Sequence, residues 1–171
     1  MHGSRNHHRR LSHRWIQGSV VLAGGFALLM SGCSTLSTLK HEERSMRVAH
    51  AAGSSLSVVT ANGSVKAERR ATADVQIEVD LFGPDAERLD FASVHADRQG
   101  DGSLRVWVEW PGGKRRDREG AHIEVLLPDA IGVQVRSSNG GVRIGGLAGL
   151  ADVHTSNGSV MVRGHSGAVD A

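Results

Sequence analysis

A short turn phrase returns at a fixed spacing near the C-terminus of this 171-residue chain. Residues 137–144 read SSNGGVRI, and 18 positions later residues 155–162 read TSNGSVMV. A turn and an apolar pair that recur together at constant spacing are typical of β-strands stacked coil upon coil. The spacing therefore predicts a short β-solenoid with an 18-residue repeat over residues 131–171. Its inward columns would be Val133, Ala151 and Val169; Val135, Val153 and Ala171; Val142 and Val160; and Ile144 and Val162.

The chain upstream of this segment alternates apolar and polar residues, which is the pattern of half-buried strands. Residues 75–81, 104–110 and 123–127 show the alternation clearly, with turns rich in Gly, Asn and Asp between them. We therefore predict an all-β domain in which an irregular N-terminal sheet, over residues 56–128, leads into the solenoid. An antiparallel meander is the alternative, because Asn-Gly is also the strongest short hairpin signal. Second corners at Gly145-Gly146 and Gly164 favour the coil.

Three phrases of one kind connect the chain to a bacterial family. They are residues 60–65 (TANGSV) and the two Asn-Gly phrases of the C-terminal repeat. Residues 126–128 (LLP) end the predicted strand that precedes the repeat. This combination resembles an adhesin-like β-strand-repeat domain of unknown function found in exported or membrane-attached proteins. The resemblance covers about residues 56–171. It implies a fold and a compartment, and it brings no catalytic residues.

The first 32 residues have the composition of an export signal. Four arginines precede an apolar stretch of 15 residues at positions 16–30, too short for an ordinary membrane-spanning helix. Residues 29–33 (LMSGC) resemble the lipobox of bacterial lipoproteins, with Met30 where that family usually has Leu. The resemblance implies cleavage before Cys33, the only cysteine, and attachment of diacylglycerol and palmitate-type chains to it. A plain secretory signal and an uncleaved tether are the alternatives.

Lipidation at Cys33 would place the protein in the bacterial cell envelope, held to the membrane by its lipid. In the lipoprotein pattern Ser34 favours the outer membrane, on its periplasmic or its surface face. Residues 33–55 are rich in polar residues, and we interpret them as a lipidated tether with a short helical piece around residues 39–48. Four of the 20 Lys and Arg, but none of the 18 Asp and Glu, lie in the signal, so the remainder is slightly acidic. The charge balance therefore predicts no nucleic-acid partner.

Catalytic and metal-binding patterns are weak in the mature chain. His41, His50, His95, His122, His154 and His165 form no spacing typical of a metal site. Residues 97–102 (DRQGDG) resemble a calcium loop, yet the ligand spacing fails, and a polar hairpin fits better. Residues 164–167 (GHSG) are not a nucleophile elbow. We therefore predict a protein that is not an enzyme, with no catalytic residues, no metal and no cofactor.

Three further features each have a structural and a functional interpretation. Asn62, Asn139 and Asn157 fit a ladder of ligand-binding amides, but corners that need positive φ explain them more simply. Residues 114–118 (KRRDR) could contact anionic lipid, although a solvated hairpin tip is the simpler interpretation. Trp107 could stack on a sugar ring, but a strand tryptophan is more often part of a core.

The sequence thus favours a membrane-anchored envelope lipoprotein with a role in adhesion, binding or scaffolding. The alternative is an accessory protein or hydrolase that acts on envelope polysaccharide; clustered carboxylates on one face would favour it. An envelope protein or a polysaccharide is the expected partner. The last repeat lacks a polar cap around residues 167–171, so self-association through this C-terminal edge is also expected.

Overall fold

The computed structural model of this protein describes residues 38–171, which belong to one compact unit. Twelve strands and one short α-helix make up the described part. They are β1 (Lys40–Ala49), β2 (Leu56–Asn62), β3 (Val65–Arg69), β4 (Asp74–Gly83), α1 (Ala86–Asp90), β5 (Ser93–Arg98), β6 (Leu104–Glu109), β7 (Gly120–Leu127), β8 (Gly132–Asn139), β9 (Val142–Gly145), β10 (Leu150–Asn157), β11 (Val160–Arg163) and β12 (Val169–Asp170). A single 3-10 turn spans Pro111–Gly113.

The strands form two mixed sheets of six strands each. The first sheet has the order β1-β4-β7-β3-β9-β11, and the second has the order β12-β10-β8-β2-β6-β5. The pairs β1·β4 and β4·β7 in the first sheet and β5·β6 in the second are antiparallel. All other neighbouring strands pair in parallel. The all-β prediction is confirmed.

Residues 18 apart in sequence lie side by side in the C-terminal strands. Val133 pairs with Ala151, and Ala151 pairs with Val169 in the second sheet. Val142 pairs with Val160 in the first sheet. The neighbours predicted from the spacing are therefore observed, except that the pairing of β12 ends at Asp170 and leaves Ala171 outside.

The prediction of a separate N-terminal sheet is wrong. β2 pairs in parallel with β8 in the second sheet, and β3 pairs in parallel with β9 in the first. The register sets Asn62 beside Asn139 and Val65 beside Val142. The N-terminal and C-terminal halves of the domain therefore share both sheets, because β2 and β3 carry the same turn phrase and strand pair as the later segments.

Residues 33–55 were expected to be a tether with a short helical piece around residues 39–48. The structure instead has strand β1 there, so the helical piece and this part of the tether are wrong. This strand runs antiparallel to β4 over its full length, from Lys40 opposite Gly83 to Ala49 opposite Asp74. Its inward positions include Glu42 and Arg44, which pair with each other, followed by Met46 and Val48. Charged side chains on the inward face are common in edge strands, and here they hide the alternation that would have revealed the strand.

One hydrophobic core lies between the two sheets. It is built from inward side chains of both, such as Val58 and Val135 in the second sheet and Ile77 and Val125 in the first. The connection from β4 to β5 crosses from one sheet to the other through α1, where Asp85 caps the helix and Leu89 is buried. At five residues, α1 is too short for a helical period to be visible in the sequence.

Candidate functional site

The three Asn-Gly phrases stack into one column at the corner between the sheets. The Asn157 side-chain amide donates to Oδ1 of Asn139 at 2.9 Å, and the Asn62 amide donates to the Glu119 carbonyl oxygen at 3.1 Å. The Gly63 N–H donates to the Asn139 carbonyl oxygen at 2.7 Å. These amides are engaged with the protein itself, which supports the structural interpretation of the asparagines.

The backbone at this corner differs in detail from the expectation. Positive φ occurs at Gly63 (125°) and Gly140 (145°), not at the asparagines that precede them. Gly158 does not have a positive φ, yet a Cβ there would overlap the carbonyl oxygen of Gly140. Close stacking of backbones, in addition to dihedral preference, is therefore what selects glycine in this column.

An open groove of about 620 Å³ lies on the outer face of the first sheet. It brings together Ser64 and His122, with Oγ of Ser64 2.8 Å from Nδ1 of His122. The Ser64 backbone N–H also donates to this Nδ1, at 3.0 Å. Since the Nδ1 lone pair is already occupied by an amide hydrogen, His122 is poorly placed to take the proton of the Ser64 hydroxyl.

Carboxylates line the same groove, a cluster that the sequence did not reveal because it comes from separate strands. The four are Glu43, Glu78, Asp80 and Glu124. Asp80 lies opposite His122 in the register but bonds to Nδ1 of His41, at 3.0 Å. Glu124 accepts from the Lys66 ammonium at 2.8 Å, and this bond is the main cause of the raised pKa of Lys66.

The loop from residue 110 to residue 119 is organised by the buried carboxylate of Glu119, which is 1% exposed. The Arg88 guanidinium bonds to it through two nitrogens, at 2.5 and 3.2 Å, and the Arg116 N–H donates to it at 2.6 Å. Burial raises the pKa of Glu119, but the bonds from Arg88 and Arg116 outweigh it, so the net pKa is lowered. The ionised carboxylate of Glu119 therefore holds the loop through its bonds from Arg88 and Arg116.

The basic segment at residues 114–118 belongs to this loop, so it is not the hairpin tip that was predicted. The loop joins β6 of the second sheet to β7 of the first. Arg115 donates to the carbonyl oxygens of Arg116 and Glu119, at 2.9 and 2.8 Å, and is thus a structural residue. The Arg116 side chain is largely exposed and lies 4.0 Å from Asp85. Its charge is consequently diluted by a nearby acid.

Trp107 lies on the outer face of the second sheet, not in the core as expected. Its ring stacks on His95 with centroids 4.8 Å apart and planes 13° apart, and the Arg105 guanidinium lies 5.1 Å from its centroid. The same face continues across Val59, which pairs with Trp107, to Gln134 and Arg136, which both bond to Asp152 at 3.0 Å. The sequence held a signal for this face, since Trp107 shares its side of β6 with the charged residues Arg105 and Glu109.

The remaining candidates have ordinary structural roles. Among residues 38–171, no three His, Cys, Asp or Glu side chains are grouped as a metal site would need. Residues 97–102 lie at the β5–β6 hairpin, where Asp101 accepts from the Ser103 hydroxyl and N–H at 2.7 and 2.9 Å, and these bonds lower its pKa. His50 bonds to Asp129 at 3.2 Å, and His165 to the Gly149 carbonyl oxygen at 2.9 Å.

The predicted signal segment and Cys33 lie outside the described residues. Within residues 38–171, no helix has the length and apolar character needed to cross a membrane.

Comparison with known proteins identifies a similar fold only among solved structures, since no family model and no curated protein matches the chain significantly. A putative adhesin from Bacteroides fragilis NCTC 9343 aligns with 75% of this chain and 55% of its own, with 13% identity and a TM-score of 0.51. A putative cell adhesion protein from Clostridium sporogenes ATCC 15579 aligns with 70% and 59%, with 14% identity and a TM-score of 0.46.

A putative lipid binding protein from Parabacteroides distasonis ATCC 8503 gives a TM-score of 0.38 at 12% identity, over 76% of this chain and 68% of its own. The chain thus spans little more than half the length of the first two proteins. At these identities, the likeness to the Bacteroides protein is one of fold.

Proposed function

We propose that this protein is a non-catalytic lipoprotein of the bacterial cell envelope that binds or adheres through the outer face of its second sheet. The observation that carries the proposal is the outward position of Trp107, flanked by His95 and Arg105. An indole beside hydrogen-bonding groups on an uncovered sheet can contact the C–H face of a sugar. The fold likeness to a putative adhesin from Bacteroides agrees with a binding role.

An envelope polysaccharide is the ligand class that this face fits best. Beside the indole, the face offers the Gln134 amide and the ion pair of Arg136 with Asp152, which supply donors and acceptors for sugar hydroxyls. His95 and Arg105 both contact the indole ring, and the Trp107 residue as a whole is half-exposed. Shallow, polar surfaces of this kind suit weak, repeated contacts along a polymer, whose avidity grows with the number of contacts.

The anchor in this proposal is Cys33, whose lipid holds the protein to the membrane. Ser34, the residue after it, favours the outer membrane. Because β1 begins at Lys40, only residues 34–39 separate the lipidated cysteine from the folded domain. The seven Cα–Cα steps from Cys33 to Lys40 extend at most about 25 Å. The tether of the proposal is therefore shorter than residues 33–55, and the domain would work close to the membrane surface.

We further infer that β8 to β12 form a short β-solenoid with an 18-residue repeat. The parallel pairing of β8, β10 and β12, and of β9 and β11, supports this inference. The stacking of Gly63, Gly140 and Gly158 in one column supports it as well. A Cβ atom added to any of the three would overlap the backbone of the neighbouring coil. A solenoid of this kind would present flat outer faces suited to extended ligands.

A hydrolase or accessory protein acting on envelope polysaccharide is the second candidate, favoured by the carboxylates in the groove of the first sheet. Glycoside hydrolysis needs one carboxyl group that stays protonated and one that is ionised. Here Glu124 is paired with Lys66 and Asp80 with His41. The Trp107 face therefore carries the proposal, and the double variant Glu78→Gln, Glu124→Gln is expected to leave polysaccharide binding unchanged.

Binding of the purified domain to insoluble envelope polysaccharide tests the proposal. Trp107→Ala is expected to reduce the bound fraction several-fold, since an aromatic contact contributes about 1 kcal/mol or more. Ile131→Ala is the matched control, because Ile131 is an exposed apolar residue that precedes β8, whereas Trp107 is level with Val59 and Arg136. Equal retention of wild type and Trp107→Ala, with both proteins folded, would contradict a role for this face.

A further inference from the structure

One end of the domain gathers the start of β1 and two long connections between the sheets. Lys40 of β1 lies opposite Gly83 at the end of β4, and β7 begins beside them, opposite Phe82. In the second sheet, the start of β5 pairs with the end of β6. The β4–β5 connection (residues 84–92) and the β6–β7 connection (residues 110–119) therefore lie at the end where β1 begins. We call Lys40 and these two connections the tether end.

Hydrogen bonds from two arginines brace the parts of the tether end against one another. Besides its ion pair with the buried carboxylate of the loop, the Arg88 guanidinium of α1 donates to the carbonyl oxygens of Pro111 and Lys114, at 3.4 and 3.0 Å. Arg44 of β1 donates to the Asp90 carbonyl oxygen at 3.5 Å. Because β1, α1 and the loop are joined in this way, the side chains that they expose belong to one surface.

Phe91, the residue that follows α1, exposes its aromatic ring at the tether end. At 69%, its exposed fraction is the largest among the large apolar residues of the described part of the chain. Its backbone is nevertheless held, because the Phe91 N–H donates to the Glu87 carbonyl oxygen at 3.2 Å. Lys114 and Arg116 are exposed on the loop that Arg88 joins to α1. An exposed aromatic ring together with long basic side chains is typical of surfaces that enter the lipid headgroup layer.

The reach of a lipid anchor at Cys33 decides which end of the domain can meet the membrane. The seven Cα–Cα steps from Cys33 to Lys40 extend at most about 25 Å. The opposite end also exposes an apolar residue, Ile131, whose N–H donates to the Ser54 carbonyl oxygen in the β1–β2 connection. With that end on the membrane, Lys40 would stand the length of the ten-residue strand β1 above the lipid, about 30 Å and beyond the anchor's reach. The tether end meets no such limit.

We propose that the tether end rests on the phospholipid surface that holds the anchor, with Phe91 inserted among the headgroups and Lys114 and Arg116 at their phosphates. The inference rests on the lipid proposed at Cys33. Exposed carboxylates lie at the same end and offset its cations, and they suit the ammonium of a zwitterionic headgroup. The apolar ring, and not net charge, therefore sets the orientation. The exposed carboxylates are those of Asp85, Glu87, Asp90 and Asp117.

The outer faces of the two sheets are less suited to lie on the lipid. The groove on the first sheet carries four carboxylates, which negatively charged headgroups repel. On the second sheet, the Trp107 ring is stacked on His95 and contacted by Arg105. With the tether end down, the strands stand upright on the membrane. The Trp107 face then stays accessible to a polysaccharide, so this orientation is compatible with the proposed function.

A fluorescent probe quenched by lipid tests the orientation on the complete lipoprotein. Phe91→Cys adds the one thiol that is not acylated, because Cys33 is the only cysteine of the chain. The labelled protein is reconstituted in vesicles of phosphatidylethanolamine and phosphatidylglycerol with spin-labelled headgroups. We expect a blue shift and strong quenching at residue 91. Ile131→Cys is the matched control, since Ile131 is 62% exposed at the opposite end, and we expect neither effect there. Equal quenching at both positions would overturn the proposal.

A chelating tether separates failure of this inference from failure of the proposed anchor. Residues 34–171, which contain the whole compact unit, carry an N-terminal hexahistidine tag and bind vesicles of the same composition that also hold a nickel-chelating lipid. With the probe at Asp117→Cys, Phe91→Ser is expected to lower the equilibrium constant for lipid contact about tenfold, and Ile131→Ser to leave it unchanged.

The two preparations give distinguishable outcomes. Lipid contact by the tagged protein, together with a full chain that never reaches the membrane, would reject the anchor at Cys33 and retain the docking surface. A full chain that is bound to the vesicles, but whose probe at residue 91 stays unquenched, would retain the anchor and overturn the docking surface. Equal contact by the tagged protein with and without Phe91→Ser would also overturn it, because the aromatic ring would then not be what meets the lipid.

Discussion

Gly140 stacks directly on Gly63, 77 positions earlier in the chain, so closely that a Cβ atom on Gly140 would overlap the Gly63 carbonyl oxygen. Gly140 also has a φ of 145°, which side chains rarely adopt. This contact joins the first Asn-Gly phrase to the second, and Gly158 stacks on Gly140 in the same way. This glycine column is the point at which both halves of the domain are locked into the same two sheets.

Gly140→Ala is expected to destabilise the domain by about 2 kcal/mol or more, since the strain at positive φ adds to the backbone overlap. Gly141→Ala is the matched control: its Cβ would find its nearest atom, Oγ of Ser159, at 3.4 Å, and its φ is not positive. Urea unfolding of both variants measures the difference. Equal midpoints would contradict the stacked column.

Asn157→Val and Gly158→Val separate the two residues of the third phrase. Asn157 lies at the end of β10 without a positive φ, so valine there removes only the hydrogen bond to Asn139, about 1 kcal/mol. Gly158→Val forces a side chain against the Gly140 carbonyl oxygen and is expected to cost considerably more. Thermal melts measure both, and a larger loss for Asn157→Val would show that the asparagine, not the glycine, holds the corner.

Because of the buried carboxylate of Glu119, we expect the domain to lose stability in acid. Because the bonds from Arg88 and Arg116 hold its pKa below the ordinary value of 4.5, its contribution is present above that pH and is lost as the pH falls through the folded-state pKa. Glu119→Gln is expected to lower stability at pH 7 by about 3 kcal/mol, since it leaves the Arg88 charge without its partner. It should also flatten the dependence of stability on pH below 4.5.

Asp129→Asn is the control for this acid dependence. Its carboxylate has a lowered pKa because it accepts from the Gly53 N–H and from His50, but it is far more exposed than that of Glu119. The variant should therefore cost less at pH 7 and keep most of the acid sensitivity. If Asp129→Asn removes the acid sensitivity and Glu119→Gln does not, the buried ion pair is not its source.

Cys33→Ser is expected to release the protein from the membrane fraction. The lone cysteine directly after an apolar segment motivates this prediction, since a lipid on that thiol would be the anchor. Cell fractionation and labelling with radioactive palmitate measure it, and Met30→Leu, which strengthens the resemblance to the lipobox, is the control. A Cys33→Ser variant that still pellets with membranes and still takes up palmitate would exclude this cysteine as the anchor.

The strands whose alternation is clean were predictable, because a half-buried strand records its environment at every second residue. β4 and β7 are of this kind, with buried residues alternating along each. β1 was not predictable, since an edge strand can place Glu42 and Arg44 at its inward positions. The charged residues Arg105 and Glu109 share the side of β6 on which Trp107 lies, but only the tertiary structure decided that this side faces outward.

Local patterning thus determined the all-β class, the glycine-rich corners and the side-by-side placement of residues 18 apart, because residues a constant distance apart in a parallel stack meet in register. Tertiary structure alone decided that Asn62 lies beside Asn139, that Ser64, His122 and four carboxylates share one groove, and that Glu119 is buried with Arg88. Such contacts join strands distant in the chain. Their partners depend on the order in which strands enter a sheet, and this order is set by the burial of the whole core, not by any local segment.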